Sequence, residues 1–332
     1  MALNRNAAAT VQAPAVHPYN GTEVQMLQRV EWYFPAANGE GDIFARGWLA
    51  ENPRAVIQIA HGMAEHSGRY DDFAAALCSR GYSVVANDHT GHGLSAHGTL
   101  GTFAQKPGGF DFAVQDMARL FEYAETQLGV LPRIMMGHSM GSMLAALYAD
   151  RYSDYIALIM TGCPAPIALS GFAIKLANRI VKRHGYLARS PLLEKLSGSV
   201  RGLTGEKLEQ KELWLTRDID IVRAFISDPL CGFDLTASGF GEMLSGFRTV
   251  ASADWGKNIP GIPVLIAAGA NDSVGKKGKG PVKYAGSLRK TGHTDVTLKI
   301  FPDDHHEILN EFDRDDVYTY ILDWLDSRTV GQ

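Results

Sequence analysis

Apolar residues in this chain gather in short blocks whose spacing alternates between two periods. Two half-buried strand patterns come first, Arg29–Phe34 and Ile43–Ala50, separated by the turn signals Asn38-Gly39 and Gly41. Ala55–Ala60 follows with only Gln58 polar, and Tyr82–Ala86 has the same buried character. Such runs mark strands covered on both faces. Elsewhere the spacing switches to the helical 3.6. A helix is expected around Asp71–Arg80, and another over Asp111–Leu128, where Val114, Met117, Leu120, Phe121 and Ala124 share one side. Strand Arg133–Met136 runs into helix Met140–Tyr152, and strand Tyr155–Thr161 follows. Pro263–Ala268 and Val296–Phe301 read as the last strands, and a helix near Glu311–Ser327 turns Val317, Ile321, Trp324 and Leu325 inward.

Strands alternating with helices predict a mostly parallel, eight-stranded sheet flanked by helices on both faces. The alternation breaks between Ala165 and Val250, where the pattern is mainly helical and lacks a strong strand. The expected organisation is therefore an α/β core over residues 29–164 and 250–329, a helical cap or lid inserted at 165–249, and a loosely ordered N-terminal extension over residues 1–28.

Composition narrows the class without naming a function. A length of 332 residues accommodates one large α/β domain with an insertion, and 45% hydrophobic with 20% charged residues suits an ordinary globular protein. The net charge of −4 offers no general attraction to nucleic acid. Cys78, Cys163 and Cys231 are too few and too scattered for a disulfide framework or a zinc site and read as reduced thiols. The first 28 residues lack a basic segment followed by an apolar run, and no stretch is apolar for long enough to span a bilayer, so a cytoplasmic location is the default expectation.

The sharpest chemical signal is Gly137-His138-Ser139-Met140-Gly141, which follows an apolar strand and opens a helix. A sharp strand-to-helix turn flanked by small residues holds a serine hydroxyl at the carboxyl end of a sheet, beside a helix N-terminus that favours developing negative charge. Ser139 is the expected nucleophile. His61-Gly62-Met63 follows the buried strand Ala55–Ala60, and a glycine there permits a turn that aims amides at the neighbouring strand end. The backbone N–H groups of Met63 and Met140 are the expected oxyanion donors.

In chain order an acid and then a histidine should follow the serine. Asp272, on the loop after Pro263–Ala268, is the leading acid; Asp303 and Asp304 compete but lie close in sequence to the histidine. Two histidines follow the last strand, and His306, which begins the segment leading into the final helix, is preferred over His305 as the base. The spacings of His61, His66, His89, His92 and His97 match no compact ligand pattern, so no metal is expected, and the chemistry requires no organic cofactor.

Five segments together carry a resemblance: HGMAEHSGRY (His61–Tyr70), NDHTGHGLS (Asn87–Ser95), GHSMGS (Gly137–Ser142), GANDSVG (Gly269–Gly275) and HHEILNE (His305–Glu311). In this order they resemble the monoacylglycerol lipase/lysophospholipase family of α/β hydrolases. The resemblance implies the α/β-hydrolase fold, a triad of Ser139, Asp272 and His306, and a cap that shapes an acyl-chain pocket. It also implies hydrolysis of single-chain carboxylic esters through an acyl-serine intermediate. Ser142 and Ser273 stand where the family often has glycine and proline, and neither change removes a catalytic group.

Within the cap, Ser170–Gly185 reads as a basic amphipathic helix. Ile174, Leu176, Ala177, Ile180 and Val181 share one face, and Lys175, Asn178, Arg179, Lys182 and Arg183 the other. A solvated basic face above a pocket-covering apolar face is the simpler reading; transient contact with a membrane or micelle surface is the sharper one. Lys276, Lys277 and Lys279 likewise read first as a solvated charged loop. An acyltransferase or peptidase using the same triad, or a non-catalytic binding protein, remains open at this stage.

Overall fold

The structure is a computed structural model that describes residues 10–12, 28–197 and 205–329. Nine strands form one sheet in the order β1-β2-β3-β5-β4-β6-β7-β8-β9. They are β1 (Thr10–Gln12), β2 (Gln28–Pro35), β3 (Asp42–Leu49), β4 (Ala55–Ala60), β5 (Tyr82–Asn87), β6 (Arg133–His138), β7 (Ala157–Thr161), β8 (Val264–Gly269) and β9 (Val296–Phe301). The first three pair antiparallel, β3 also pairs antiparallel with β5, and every pairing from β5 to β9 is parallel.

Eight strands correspond to those expected from the hydrophobic pattern. The ninth, Thr10–Gln12, pairs with β2 at the edge of the sheet, Val11 opposite Val30. A three-residue strand carries too little pattern to be seen without its partner.

The two-residue period of the central strands sorts their side chains into two cores. Val56, Met135, Leu158, Met160, Val264 and Ile266 join one cluster, with helices α2 (Gly109–Leu128) and α3 (Met140–Arg151). Ile57, Ile59, Ile134, Met136, Ile159 and Leu265 join the other, with α1 (Asp71–Ser79) and the C-terminal helix, α10 in chain order (Arg314–Thr329). Burial on both faces explains why β8 reads as a continuous apolar run and β4 as one broken only by Gln58.

Between β7 and β8 the chain makes α4 (Ser170–His184), α5 (Pro191–Ser197), α6 (Glu206–Glu212), α7 (Ile219–Ser227) and α8 (Ala237–Val250). Ala173 and Ala177 of α4 are buried, and a Cβ added at Gly241 of α8 would lie 3.1 Å from that of Ala177, so the two helices pack closely through small residues. Helix α8 in turn sets Gly246 against the Phe110 ring of α2. Phe172 and Leu169 stay exposed at the start of α4. Among the described residues no helix is long and apolar enough to cross a membrane.

The lysines after Asp272 do not form one open loop. Lys276 and Lys277 occupy left-handed turn conformations, and Lys279 opens α9 (Lys279–Lys290), with Pro281 in its first turn. The parallel strands β4, β6, β8 and β9 all finish at the same edge of the sheet, which brings His61, Ser139, Asp272 and His306 to one end of the molecule.

Candidate active site

Ser139 lies between β6 and α3 with φ 53° and ψ −118°, a conformation that costs a non-glycine residue about 1–3 kcal/mol. The surrounding contacts enforce it. Ser139 N–H donates to Thr161 O at 2.9 Å, and the Ser142 hydroxyl donates to Ser139 O at 2.6 Å. A Cβ on Gly137 would fall 2.1 Å from Gly141 O, and one on Gly141 would fall 2.0 Å from Ala60 O. Both glycines are therefore required by close approach, and Ser142 supplies a bond that glycine could not.

His306 Nε2 lies 2.8 Å from Ser139 Oγ, and His306 Nδ1 lies 3.0 Å from Asp272 Oδ1. The second contact is short but bent, with Oδ1 off the line of the Nδ1–H bond. The same Oδ1 accepts from the amides of Val274 at 2.8 Å and Gly275 at 3.1 Å. Burial pushes the Asp272 carboxyl up, but the His306 cation and these two amides outweigh it and hold the group below its ordinary value. Burial pulls His306 down; the Asp272 carboxylate, with Glu307 and Glu65 behind it, more than reverses this and raises the imidazole above its ordinary value. Opposite shifts on adjoining groups describe an imidazole prepared to accept a proton.

The competing residues go elsewhere. His305 faces Glu311, with Nδ1 3.7 Å from its Oε1. Asp303 is exposed, and Asp304 is buried against Arg217 Nη2 at 3.0 Å, with its carboxyl pushed up to about 7 mainly by burial.

The His61–Met63 loop passes directly beside the serine, since a Cβ on Gly62 would sit 3.3 Å from Ser139 Cβ. Met140 is the first residue of α3, so its N–H has no partner in the helix ladder. Among the described residues no backbone acceptor takes the Met63 N–H. The Gly62 N–H donates instead to Glu65 Oε1, which also accepts from the Tyr70 hydroxyl at 2.9 Å. Arg69 binds Glu65 Oε2 at 2.6 Å and grips both Glu307 oxygens at 2.7 Å. Both carboxylates are buried, and burial alone would raise them; the Arg69 guanidinium holds them ionised and low. Glu65, Arg69 and Glu307 escaped the reading of single residues, because charged side chains normally signal surface and their mutual pairing is invisible in one dimension.

Trp214 was also missed. Its ring lies 5.1 Å from that of His306, and its carbonyl accepts from His306 N–H at 3.4 Å. Leu215 O takes the Glu307 N–H at 2.7 Å, and Arg217 bonds Glu311 and Asp313. The segment between α6 and α7 thus packs against the loop that carries His306.

Of the five histidines weighed for metal binding, His61, His89 and His92 stack in the interior, with His61 4.1 Å from His89 and 5.3 Å from His92. Burial lowers all three, His92 to about 3. His66 bonds Asp228 at 2.9 Å, and these two with Cys231 bring ligand atoms within 4.8 Å of one another. Arg69, itself a cation, lines the same hollow.

The chain is 29% identical over 291 residues to the monoacylglycerol lipase of Mycolicibacterium smegmatis, covering 82% of this chain and 89% of that one. It is 26% identical over 301 residues to human monoglyceride lipase, covering 88% and 90%. A thermostable carboxyl esterase from Bacillus coagulans, solved with glycerol, superposes with a TM-score of 0.83 at 28% identity, over 91% of this chain and 99% of that chain. A soluble variant of Saccharomyces cerevisiae monoglyceride lipase shares the fold, with a TM-score of 0.68 at 23% identity over 97% and 100% of the two chains. The pattern described as serine aminopeptidase, S33, matches residues 51–313, and the chain belongs to that family of serine hydrolases.

Proposed function

We propose that this protein hydrolyses carboxylic esters of single acyl chains, of the monoacylglycerol or lysophospholipid kind, through an acyl-Ser139 intermediate. The observation that carries the reading is the succession of contacts Ser139 Oγ to His306 Nε2 at 2.8 Å and His306 Nδ1 to Asp272 Oδ1 at 3.0 Å, ending on a carboxylate held ionised. His306 takes the Ser139 proton as Oγ attacks the ester carbonyl, and the amides of Met63 and Met140 receive the developing oxyanion. Collapse expels the alcohol, which leaves with the proton from His306. Water then attacks the acyl-serine with His306 again as base, releasing the acid and restoring Ser139. Asp272 holds the imidazole tautomer and stabilises its cation throughout. Residues 165–249 would act as the cap, with α4 meeting a micelle or membrane surface through Leu169, Phe172 and the exposed Lys175 and Arg179.

The family description favours one second reading, an aminopeptidase. Such an enzyme needs a free anion for the substrate's terminal ammonium. The carboxylates beside the serine, Glu65 and Glu307, are buried with every oxygen already bonded, by Arg69, the Gly62 N–H, the Tyr70 hydroxyl and the Asn310 amide, which supports the ester reading. The names of the monoacylglycerol lipase and carboxyl esterase relatives support it too.

The test is a substrate panel of p-nitrophenyl esters of increasing chain length, monoacylglycerols, lysophospholipids and aminoacyl anilides. Turnover of esters is expected, with Ser139→Ala lowering kcat by roughly 10⁴–10⁶ and leaving the fold intact. Turnover confined to the anilides, or a Ser139→Ala variant as active as the parent, would refute the reading.

A further inference from the structure

We propose that His61 is a positioning residue whose ring orients the oxyanion donor Met63 N–H. The inference rests on the ester-hydrolase reading above and concerns how its donor loop is held.

His61 is fully buried, and the protonation of its two ring nitrogens is dictated by its neighbours. The backbone N–H of His89 points at Nε2 from 3.0 Å. A backbone amide can only donate, so Nε2 must carry a lone pair and the ring proton must reside on Nδ1. Nδ1 lies 2.8 Å from Gly62 O, and the Nδ1–H therefore donates to that carbonyl. Burial keeps the ring neutral.

The carbonyl of Gly62 and the N–H of Met63 belong to one peptide unit, and the described chain contains no cis peptide. In a trans unit the two groups point in opposite directions. Holding Gly62 O against the His61 ring thus turns Met63 N–H the other way. The preceding peptide is held independently, because Gly62 N–H is bonded to Glu65 Oε1. Rotation of the Gly62–Met63 unit would break the His61 bond and replace the donor in the site by a carbonyl oxygen, which repels an oxyanion. His89, on the loop after β5, thereby fixes the tautomer of His61, and His61 fixes the orientation of the donor.

Two substitutions separate this role from packing. His61→Asn keeps an N–H near the Nδ1 position and loses the acceptor for His89. His61→Gln keeps an acceptor near Nε2 and has nothing at Nδ1. The expected result is that Gln lowers kcat by about 10²-fold with KM nearly unchanged, and weakens a trifluoromethyl ketone transition-state mimic by a similar factor. Asn should stay within roughly tenfold of the parent in both measures. Equal losses in the two variants, or a fully active Gln variant, would overturn the proposal. Ring ¹⁵N shifts of the parent give a check that needs no variant: Nδ1 protonated supports it, and Nε2 protonated overturns it. Labelling of the parent by a fluorophosphonate at Ser139 keeps the two readings apart. A parent that is neither labelled nor active on esters sinks the hydrolase reading, whereas a labelled, active parent with an unimpaired Gln variant sinks only the role of His61.

Discussion

Replacing Asp272 by asparagine removes one charge and almost no volume, so it isolates the electrostatic part of the proposed triad. Asp272 Oδ1 accepts from the Val274 and Gly275 amides at 2.8 Å and 3.1 Å and is the oxygen 3.0 Å from His306 Nδ1. An asparagine must leave its carbonyl oxygen there, because its NH₂ group would otherwise face two N–H donors. An acceptor for the imidazole N–H survives, and His306 keeps its tautomer. What disappears is the attraction between the carboxylate and the imidazolium that forms in the transition state. For unit charges about 3 Å apart at an effective dielectric of about 20, that attraction is on the order of 5 kcal/mol. The amide dipole recovers part of it, so kcat should fall by about 10³-fold with little change in KM. Asp272→Ala, which also removes the acceptor, should fall further.

The pH profile supplies a second measure of the same substitution. In the proposed role His306 acts as a base only when neutral, so kcat/KM should rise with pH through its pKa. In the parent that pKa lies above 6.5, because Asp272, together with Glu307 and Glu65, outweighs burial. In the asparagine variant burial acts without that charge, and the inflection should move down. Steady-state hydrolysis of a short p-nitrophenyl ester over about pH 5–9 measures both quantities. Parent-like kcat, or an inflection that stays put or rises, would refute the reasoning.

Three further outcomes are expected. Gly62→Ala should cost about 10² in kcat, because its Cβ would lie 2.7 Å from Glu65 Oε1 and 3.3 Å from Ser139 Cβ; the same rate as the parent would show that the loop can move aside. Stability should fall with acid. His61, His89, His92 and His138 are buried neutral with depressed pKa values, so below 6.5 the unfolded chain binds the extra protons. Thermal melting should show a steep drop below that pH, and His92→Phe, beside Phe103 and Phe233, should flatten it between 6.5 and about 3. Arg217→Met removes a hydrogen-bond donor from the buried carboxyl groups of Asp304 and Glu311 and should lower stability by about 1–3 kcal/mol in urea titrations; an unchanged midpoint would show that these groups are satisfied without it.

The alternation of apolar strands with amphipathic helices and the position of Ser139 between a strand and a helix were legible in one dimension, because period and turn chemistry are local properties. The same holds for the order of Ser139, Asp272 and His306 along the chain. Choosing His306 over His305 was a matter of position after the last strand; in three dimensions the two rings differ because one faces Ser139 and the other Glu311. The edge strand Thr10–Gln12 had no local signature, since three residues form a strand only when β2 is there to pair with them.

The sequence alone determined which chemical groups exist and at which strand ends they emerge, because side-chain periodicity and glycine placement act over a few residues. Only the tertiary structure decided what those groups became. It paired Glu65 and Glu307 through Arg69, packed Trp214 against His306, and left His61 with a single permitted tautomer. Charge state, tautomer and peptide orientation depend on neighbours distant along the chain and near in space, and on the water their packing removes.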